Sequence, residues 1–335
     1  MKTRIIDRSG TPITELGFGA AGIGNLFRSV TNVEAQAAVN GAWEQGLRYF
    51  DTAPHYGAGL SERRLGLALH EKPRDELFLS TKVGRVLHPL EKNAPLEEAG
   101  FVGAAPFKRH YDYSYDGIMR AFEDSLQRLG VTRIDMLLMH DLDVFTQGDK
   151  LPELFRIAMN SGFRAMSELR DQGLVKAIGL GVNEWQVCDA ALDQADFDCF
   201  MVANCFTLLE NEITQHFTGT CRQREVSLIA AAPFNSGILA KGSAGAGHYF
   251  YDTAPGAVIE RVIELEKVCS EYQVPLPAAA IQFPLLYPCV KSVVIGMTSE
   301  ARIRQNMDWY EYPISMDFWQ ALVDREYIRP FPKAC

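Results

Sequence analysis

The sequence predicts an α/β protein of the (β/α)8 TIM-barrel class, with an N-terminal β-hairpin and extended βα loops at the C-terminal face of the barrel. Three observations predict it. Short apolar runs alternate with longer segments of helical period from about Glu15 onwards, the rhythm of repeated βα units around a parallel sheet. The apolar runs number eight, the count at which such a sheet closes on itself. No linker, charge run or low-complexity tract interrupts residues 1–335, so they read as one barrel domain.

Taken in order, Lys2–Asp7 and Thr11–Thr14 flank Arg8-Ser9-Gly10 and read as a small hairpin plugging the barrel's N-terminal mouth. The candidate barrel strands are Leu16–Gly19, Tyr49–Asp51, Leu77–Lys82, Ile134–His140, Ala177–Gly181, Cys199–Asn204, Leu228–Ala231 and Ser292–Ile295. Between them, Thr31-Asn32-Val33-Glu34 is a capping pattern opening an apolar run of helical period that stops at Gly46. Tyr115–Leu129 stops at Gly130, Ser161–Gln172 stops at Gly173, and Ala257–Tyr272 carries Val258, Ile259, Val262, Ile263 and Val268 at helical spacing. Two connections are too long for ordinary βα loops. Gly84–Ser114 is rich in Pro, Gly, Ala and aromatics and reads as a substrate loop, with Phe101, Phe107, Tyr111 and Tyr113 as its candidate wall. Pro233–Pro255, with Gly237, Gly242, Gly245 and Gly247, reads as a mobile cofactor clamp.

Composition narrows the function. Apolar residues at 47% and charged residues at 22% supply a sizeable core and show no bias towards disorder. The net charge of −9, with no local Lys/Arg run, argues against nucleic acid and anionic membrane as partners. Seven cysteines never form a CxxC pair, a pattern that suits reduced thiols. The opening Met1-Lys-Thr-Arg-Ile-Ile has no apolar signal segment, and no apolar run approaches the ~18 residues of a membrane span. A cytoplasmic, unprocessed protein is expected.

In a barrel of this class the reactive residues sit at the C-terminal ends of the strands. Asp51 ends Leu47-Arg-Tyr-Phe-Asp51, Tyr56 follows in Thr52-Ala-Pro-His-Tyr56-Gly, Lys82 ends Phe78-Leu-Ser-Thr-Lys82, and His140 ends Met136-Leu-Leu-Met-His140. Any one of them alone is ordinarily a capping or salt-bridging residue, or, for the tyrosine, part of the core. Their joint arrival at one mouth from three strands is the signal. A phenol titrates near ~10, so proton transfer near neutrality needs an adjacent cation to favour phenolate. A buried lysine stays charged only with a carboxylate partner.

Together these residues resemble the tetrad of the aldo-keto reductase family, with its Phe-Asp-Thr-Ala-Pro-His-Tyr-Gly and Ser-Thr-Lys-Val-Gly segments and a histidine after an apolar strand. The resemblance spans nearly the whole chain. It implies that Tyr56 gives or takes the proton, Lys82 lowers its pKa, Asp51 pairs with Lys82, and His140 orients the carbonyl oxygen. It also implies a nicotinamide dinucleotide lying extended across the barrel mouth. Gly17-Phe-Gly19-Ala-Ala-Gly22-Ile-Gly24 has glycine spacing close to a dinucleotide fingerprint but runs into Asn25-Leu-Phe instead of a helix, and reads as a flexible βα loop. By the resemblance, Asn183 meets the carboxamide, and Phe206 stacks on nicotinamide or else belongs to the core. Pro233, Asn235, Ser236, Gly237 and Leu239 form the segment whose backbone approaches the pyrophosphate. Gly296, Thr298, Arg302, Gln305 and Asn306 form the adenosine segment at a helix N-terminus. The uncharged Gly296-Met297-Thr298 stretch favours NAD, while Arg302 keeps NADP open.

Within the family, Tyr56-Gly-Ala-Gly59-Leu-Ser61-Glu62-Arg63-Arg64-Leu-Gly66 and Pro233-Phe-Asn-Ser-Gly237-Ile-Leu resemble its sugar dehydrogenases. The implied reaction is oxidation of the anomeric carbon of an aldose of fucose, arabinose or galactose type to a lactone. The same stretches resemble pyridoxal 4-dehydrogenase, which forms 4-pyridoxolactone, and a general aldehyde or ketone reductase remains a third reading. Two remoter alternatives are a metal-dependent barrel hydrolase, for which His55, His88, His110, His140 and Asp51 would be offered as ligands, and a non-catalytic nucleotide-binding subunit. No metal is expected, because the sequence lacks an HxH at the first strand and any HExxH.

Overall fold

The computed structural model describes residues 1–92, 94–96, 98–245, 248–250 and 252–332. Gly247 of the Pro233–Pro255 segment and Cys335 lie outside the described residues. Eight parallel strands close a barrel: β1 (Leu16–Gly19), β2 (Tyr49–Asp51), β3 (Phe78–Val83), β4 (Met136–His140), β5 (Ala177–Val182), β6 (Cys199–Ala203), β7 (Ser227–Ala231) and β8 (Val290–Gly296). Each pairs with its sequence neighbour, and β8 pairs with β1 to close the ring. All eight predicted strands are present, with ends moved by one or two residues.

Alternation along the strands builds two cores, because successive side chains point to opposite faces. Tyr49, Phe78, Met136, Leu138, Cys199, Met201 and Ile229 fill the barrel interior together with Ile6 and Ile13. Phe50, Leu79, Leu137, Ile178 and Phe200 point outwards into the larger layer beneath the helices. Ile6 and Ile13 belong to the hairpin of Thr3–Ile6 and Thr11–Thr14, which closes the N-terminal mouth as expected. Arg4 ties it to the end of the barrel, donating from Nη1 to the Val290 carbonyl at 2.7 Å and from Nη2 to that of Leu285 at 2.8 Å.

The helix over Asn32–Glu44 opens on the expected capping box, Thr31 accepting from the Glu34 amide and Glu34 from the Thr31 amide. Tyr115–Leu129 ends at Gly130 in the left-handed conformation. The segment predicted as Ser161–Gln172 begins earlier: helix from Leu151 passes through a π-turn at Ala158–Gly162 before Phe163–Asp171. Gly162 lies against the Tyr113 backbone, with no room for a side chain. Gly84–Ser114 is not structureless, for Arg85–Pro89 and Phe107–Tyr111 pair as an antiparallel hairpin over the mouth. Among the described residues no helix is long and apolar enough to cross a membrane. The six described cysteines are free.

Gly179 on β5 packs so tightly that a β-carbon there would overlap the Cys199 carbonyl of β6. Gly130, with φ of +66°, faces open space. Gly179→Ala should therefore cost about 3 kcal/mol or more by overpacking the barrel wall, and Gly130→Ala only about 1–2 kcal/mol of left-handed backbone strain. Urea unfolding of both variants checks the order, and equal midpoints would contradict it.

Candidate active site

Tyr56 sits in the turn after β2, and local backbone geometry fixes it there. Gly57, Ala58 and Gly59 are all left-handed, at φ of 64°, 53° and 87°, which curls the chain back so that the Tyr56 carbonyl accepts from the Ser61 amide at 3.1 Å. The glycines after β1 serve this turn: a β-carbon at Gly24 would stand 2.9 Å from the Tyr56 carbonyl carbon. The Gly17–Gly24 segment is thus a packed support for Tyr56, contrary to the flexible loop expected.

Register supplies the next residues. Asp51 of β2 is level with Ser80 of β3, so Lys82, two residues further along, points into the same interior. Its Nζ donates to both carboxylate oxygens of Asp51, at 2.9 and 2.7 Å, and to the Thr52 carbonyl at 3.0 Å. Asp51 also accepts from Ser80 Oγ at 2.6 Å. Both charged residues are 2% exposed. Gly181 of β5 gives Lys82 its space, since a β-carbon there would sit 3.3 Å from Lys82 Cε.

The ammonium lies 5.0 Å from the centre of the Tyr56 ring. Burial pushes the phenol up to about 12 while Lys82 draws it down. Burial alone would lower the lysine, but Asp51 and Tyr56 outweigh it and hold the ammonium at about 12. His140, at the end of β4, stands edge-on to Tyr56 with ring centres 5.9 Å apart. Burial, then Arg85, Lys82 and His55, keep it well below the usual histidine range; a neutral imidazole has one ring nitrogen to donate and one to accept a hydrogen bond. His55 is likewise held at about 2 by burial and by Arg85 and Arg109.

Asp51, Tyr56, Lys82 and His140 all line one cavity of about 690 Å³, within the range of small-molecule sites. Of the residues predicted to hold a dinucleotide, Asn183, Ser236, Gly237 and Gly296 line it as well. Asn183 brings a primary amide to the cavity wall, and both of its Nδ2 N–H groups make long bonds, to Asp143 at 3.3 Å and Asp141 at 3.4 Å. Asn235, Ser236 and Gly237 are consecutive left-handed residues that turn the backbone after β7 along the cavity. Asn235 is itself buried and holds this turn by donating to the Asn204 carbonyl at 2.8 Å. Pro233 and Leu239 are buried supports outside the cavity wall.

Phe206 does not reach the cavity. It is fully buried, edge-on to Tyr287 at 5.2 Å and Phe283 at 6.0 Å, so it belongs to the core and the expected nicotinamide stack is corrected. The aromatic lining the cavity on that side is Phe234. Thr298, Arg302, Gln305 and Asn306 stand beyond the cavity on the loop and helix after β8. Ser299 caps that helix, Arg302 donates to Gln305 at 3.1 Å, and Asn306 is buried beneath. Of the predicted substrate wall, Phe101 lines the cavity and stacks beside Tyr56 at 5.9 Å. Phe107, Tyr111 and Tyr113 do not line it; the Tyr113 hydroxyl instead donates to the His140 carbonyl at 2.6 Å.

Sequence reading missed His55, Arg85 and Asp141 as cavity residues, although Asp141 adjoins His140 and Arg85 closely follows Lys82. It also missed Arg28, whose Nη2 donates to Thr298 Oγ1 at 2.7 Å. Among the described residues no group of three or more His, Cys, Asp or Glu is arranged to hold a metal ion.

Comparison with known proteins agrees with this geometry. The Aldo/keto reductase family model matches residues 15–325. Pyridoxal 4-dehydrogenase of Microbacterium luteolum is 42% identical over 329 residues, covering 95% of this chain and 96% of that one. D-threo-aldose 1-dehydrogenase of a Pseudomonas species is 39% identical over 326 residues, covering 96% of each. Among solved structures, an aldo-keto reductase from Bacillus halodurans in its holo form superposes with a TM-score of 0.77 at 21% identity, covering 99% and 98% of the two chains. Barrel, shared cavity and near-full-length matches lead to one conclusion: the chain belongs to the aldo-keto reductase family and is an NAD(P)-dependent oxidoreductase.

Proposed function

We propose that this chain oxidises the anomeric carbon of an aldose, of fucose, arabinose or galactose type, to a lactone. The observation that carries the reading is the Tyr56 phenol held against an ammonium that Asp51 keeps charged, inside a cavity whose wall also carries His140, Asp141 and Asn183. The aldose 1-dehydrogenase relative at 39% identity supports the substrate class. A second reading, oxidation of pyridoxal to 4-pyridoxolactone, is favoured by the relative at 42% identity. Both substrates are cyclic hemiacetals that present an alcohol-like carbon to a hydride acceptor.

A bound nicotinamide supplies that acceptor. Asn183 would meet its carboxamide end, the Ser236–Gly237 backbone would border its pyrophosphate, and the segment from Gly296 to the helix after Ser299 would receive its adenosine. Tyr56, as phenolate, takes the proton of the anomeric hydroxyl. Lys82 stabilises that phenolate, Asp51 prevents the lysine from discharging, and neutral His140 donates to the reacting oxygen and fixes its direction. Phe101 shields the phenol from water. Product trapping tests the reading: a sugar lactone supports it, pyridoxolactone moves it to the second substrate, and reduction of plain aldehydes without oxidation of either hemiacetal overturns both.

The uncharged Gly296-Met297-Thr298 stretch favours NAD, whereas Arg28, which donates to Thr298, and Arg302, in the first turn of the next helix, would support partial use of NADP through its extra phosphate. The small-molecule partner, reduced thiols and negative charge fit a cytoplasmic enzyme that binds neither nucleic acid nor membrane.

Because Tyr56 is a phenol at neutral pH, oxidation should climb as pH rises towards about 12, while reduction, which needs the proton, should fall. Tyr56→Phe should lose ~10²–10⁴-fold in kcat with cofactor binding retained by fluorescence titration. Lys82→Met should move the limb further alkaline, since the lysine draws the phenol down; an unchanged pH–rate profile would reject that role. For the cofactor, kcat/KM with NAD should exceed that with NADP. Arg28→Ala should lower the NADP-to-NAD ratio about ten-fold, the effect of one charge-assisted hydrogen bond; an unmoved ratio would place the phosphate elsewhere.

A further inference from the structure

We propose that Asp141 is the specificity-determining residue of this cavity: its carboxylate receives a hydroxyl on the carbon next to the reacting one. The substrate class is then a cyclic hemiacetal with a free neighbouring hydroxyl, as in an aldose. This rests on the hydride-transfer reading above and deepens it.

A strand would send His140 and Asp141 to opposite faces. Asp141 instead follows the end of β4 at a φ of +53°, and this left-handed turn brings both side chains to the cavity wall. The Asp141 side chain is 14% exposed and that of its partner Arg85 6%. The pairing uses one carboxylate oxygen, Oδ2, with Arg85 Nη2. Among the described residues the other oxygen, Oδ1, is met only by Asn183 Nδ2 at 3.4 Å and His140 Nε2 at 3.5 Å. Hydrogen bonds to an ionised carboxylate are ordinarily well under 3 Å, and each carboxylate accepts about four. Oδ1 therefore has unused acceptor capacity on a side chain that is mostly buried, where such capacity is costly.

Charge decides what fills it. Arg85 already neutralises Asp141, so a cation at Oδ1 would leave excess positive charge beside Lys82, and an anion would meet the carboxylate. A neutral O–H donor satisfies Oδ1 without disturbing the pair. The position matches a vicinal hydroxyl, because His140 neighbours both groups, its Nε2 standing 3.5 Å from Asp141 Oδ1 and its ring 5.9 Å from that of Tyr56. An oxygen held by His140 and Tyr56 leaves its neighbour on the substrate within reach of Oδ1. A phenolate, as on an ionised hydroxypyridine, has no proton to give.

The test is steady-state kinetics of the wild-type enzyme and Asp141→Asn on the preferred aldose and on analogues each lacking one hydroxyl. In the wild type, removing the hydroxyl next to the anomeric carbon should lower kcat/KM about 10–100-fold. Asp141→Asn should show a similar loss on the full sugar, mainly through KM, and no further loss on that one analogue, because the two changes remove the same contact. If circular dichroism shows that the amide variant does not fold, Asp141→Glu keeps the charge for Arg85, displaces the oxygen and gives the same readout. Additive losses on that analogue, or a wild type indifferent to it, would overturn this inference alone. Failure of the wild type to oxidise any aldose would overturn it together with the functional reading on which it rests.

Discussion

The ion pair between Lys82 and Asp51 is the constraint around which the rest of the cavity is organised. Two unit charges taken out of water each cost several kcal/mol, and the fold offsets this with an unusually complete set of partners. Lys82 Nζ donates to both Asp51 oxygens and to the Thr52 carbonyl, and Asp51 accepts from Ser80 as well. Ser80 in turn meets the Tyr49 hydroxyl at 3.1 Å, which joins the charged end of the barrel to its apolar interior. None of this survives a one-residue slip between β2 and β3, because the side-chain period of two would turn Lys82 towards the helices. The pairing of Asp51 with Ser80 is thus a chemical requirement as much as a structural one.

From that pair outwards the barrel grades from dry to polar. At one end, Ile6 and Ile13 of the hairpin seal an interior of aromatic and aliphatic side chains. At the other, the strand ends present Asp51, Lys82, His140 and Asn183 to a single opening. The charges therefore face a space closed behind them, where each interaction is stronger than in water. The hairpin of Arg85–Pro89 and Phe107–Tyr111 completes the site from outside, bringing Arg85 and, from the connection between its strands, Phe101 to the cavity wall. Across the mouth, Phe145, which lines the cavity after β4, meets Phe250 of the Pro233–Pro255 connection with ring centres 6.2 Å apart.

By itself the sequence determined the eight βα units, the N-terminal plug and the four polar residues at the mouth, because each is written in short-range pattern: apolar runs, capping residues, and a polar residue ending an apolar run. Tertiary structure decided what depends on direction and distance. Phe206 follows a strand end as a stacking aromatic would, yet only the packing of Tyr287 and Phe283 turns it into the core. Arg85 finds Asp141 across 56 residues and Arg28 finds Thr298 across 270, separations at which no local spacing reveals a partner. For Tyr56 the sequence predicts a pKa lowered by Lys82; the ammonium does pull it down, but burial pushes it up further, and only the depth of the site shows that burial prevails.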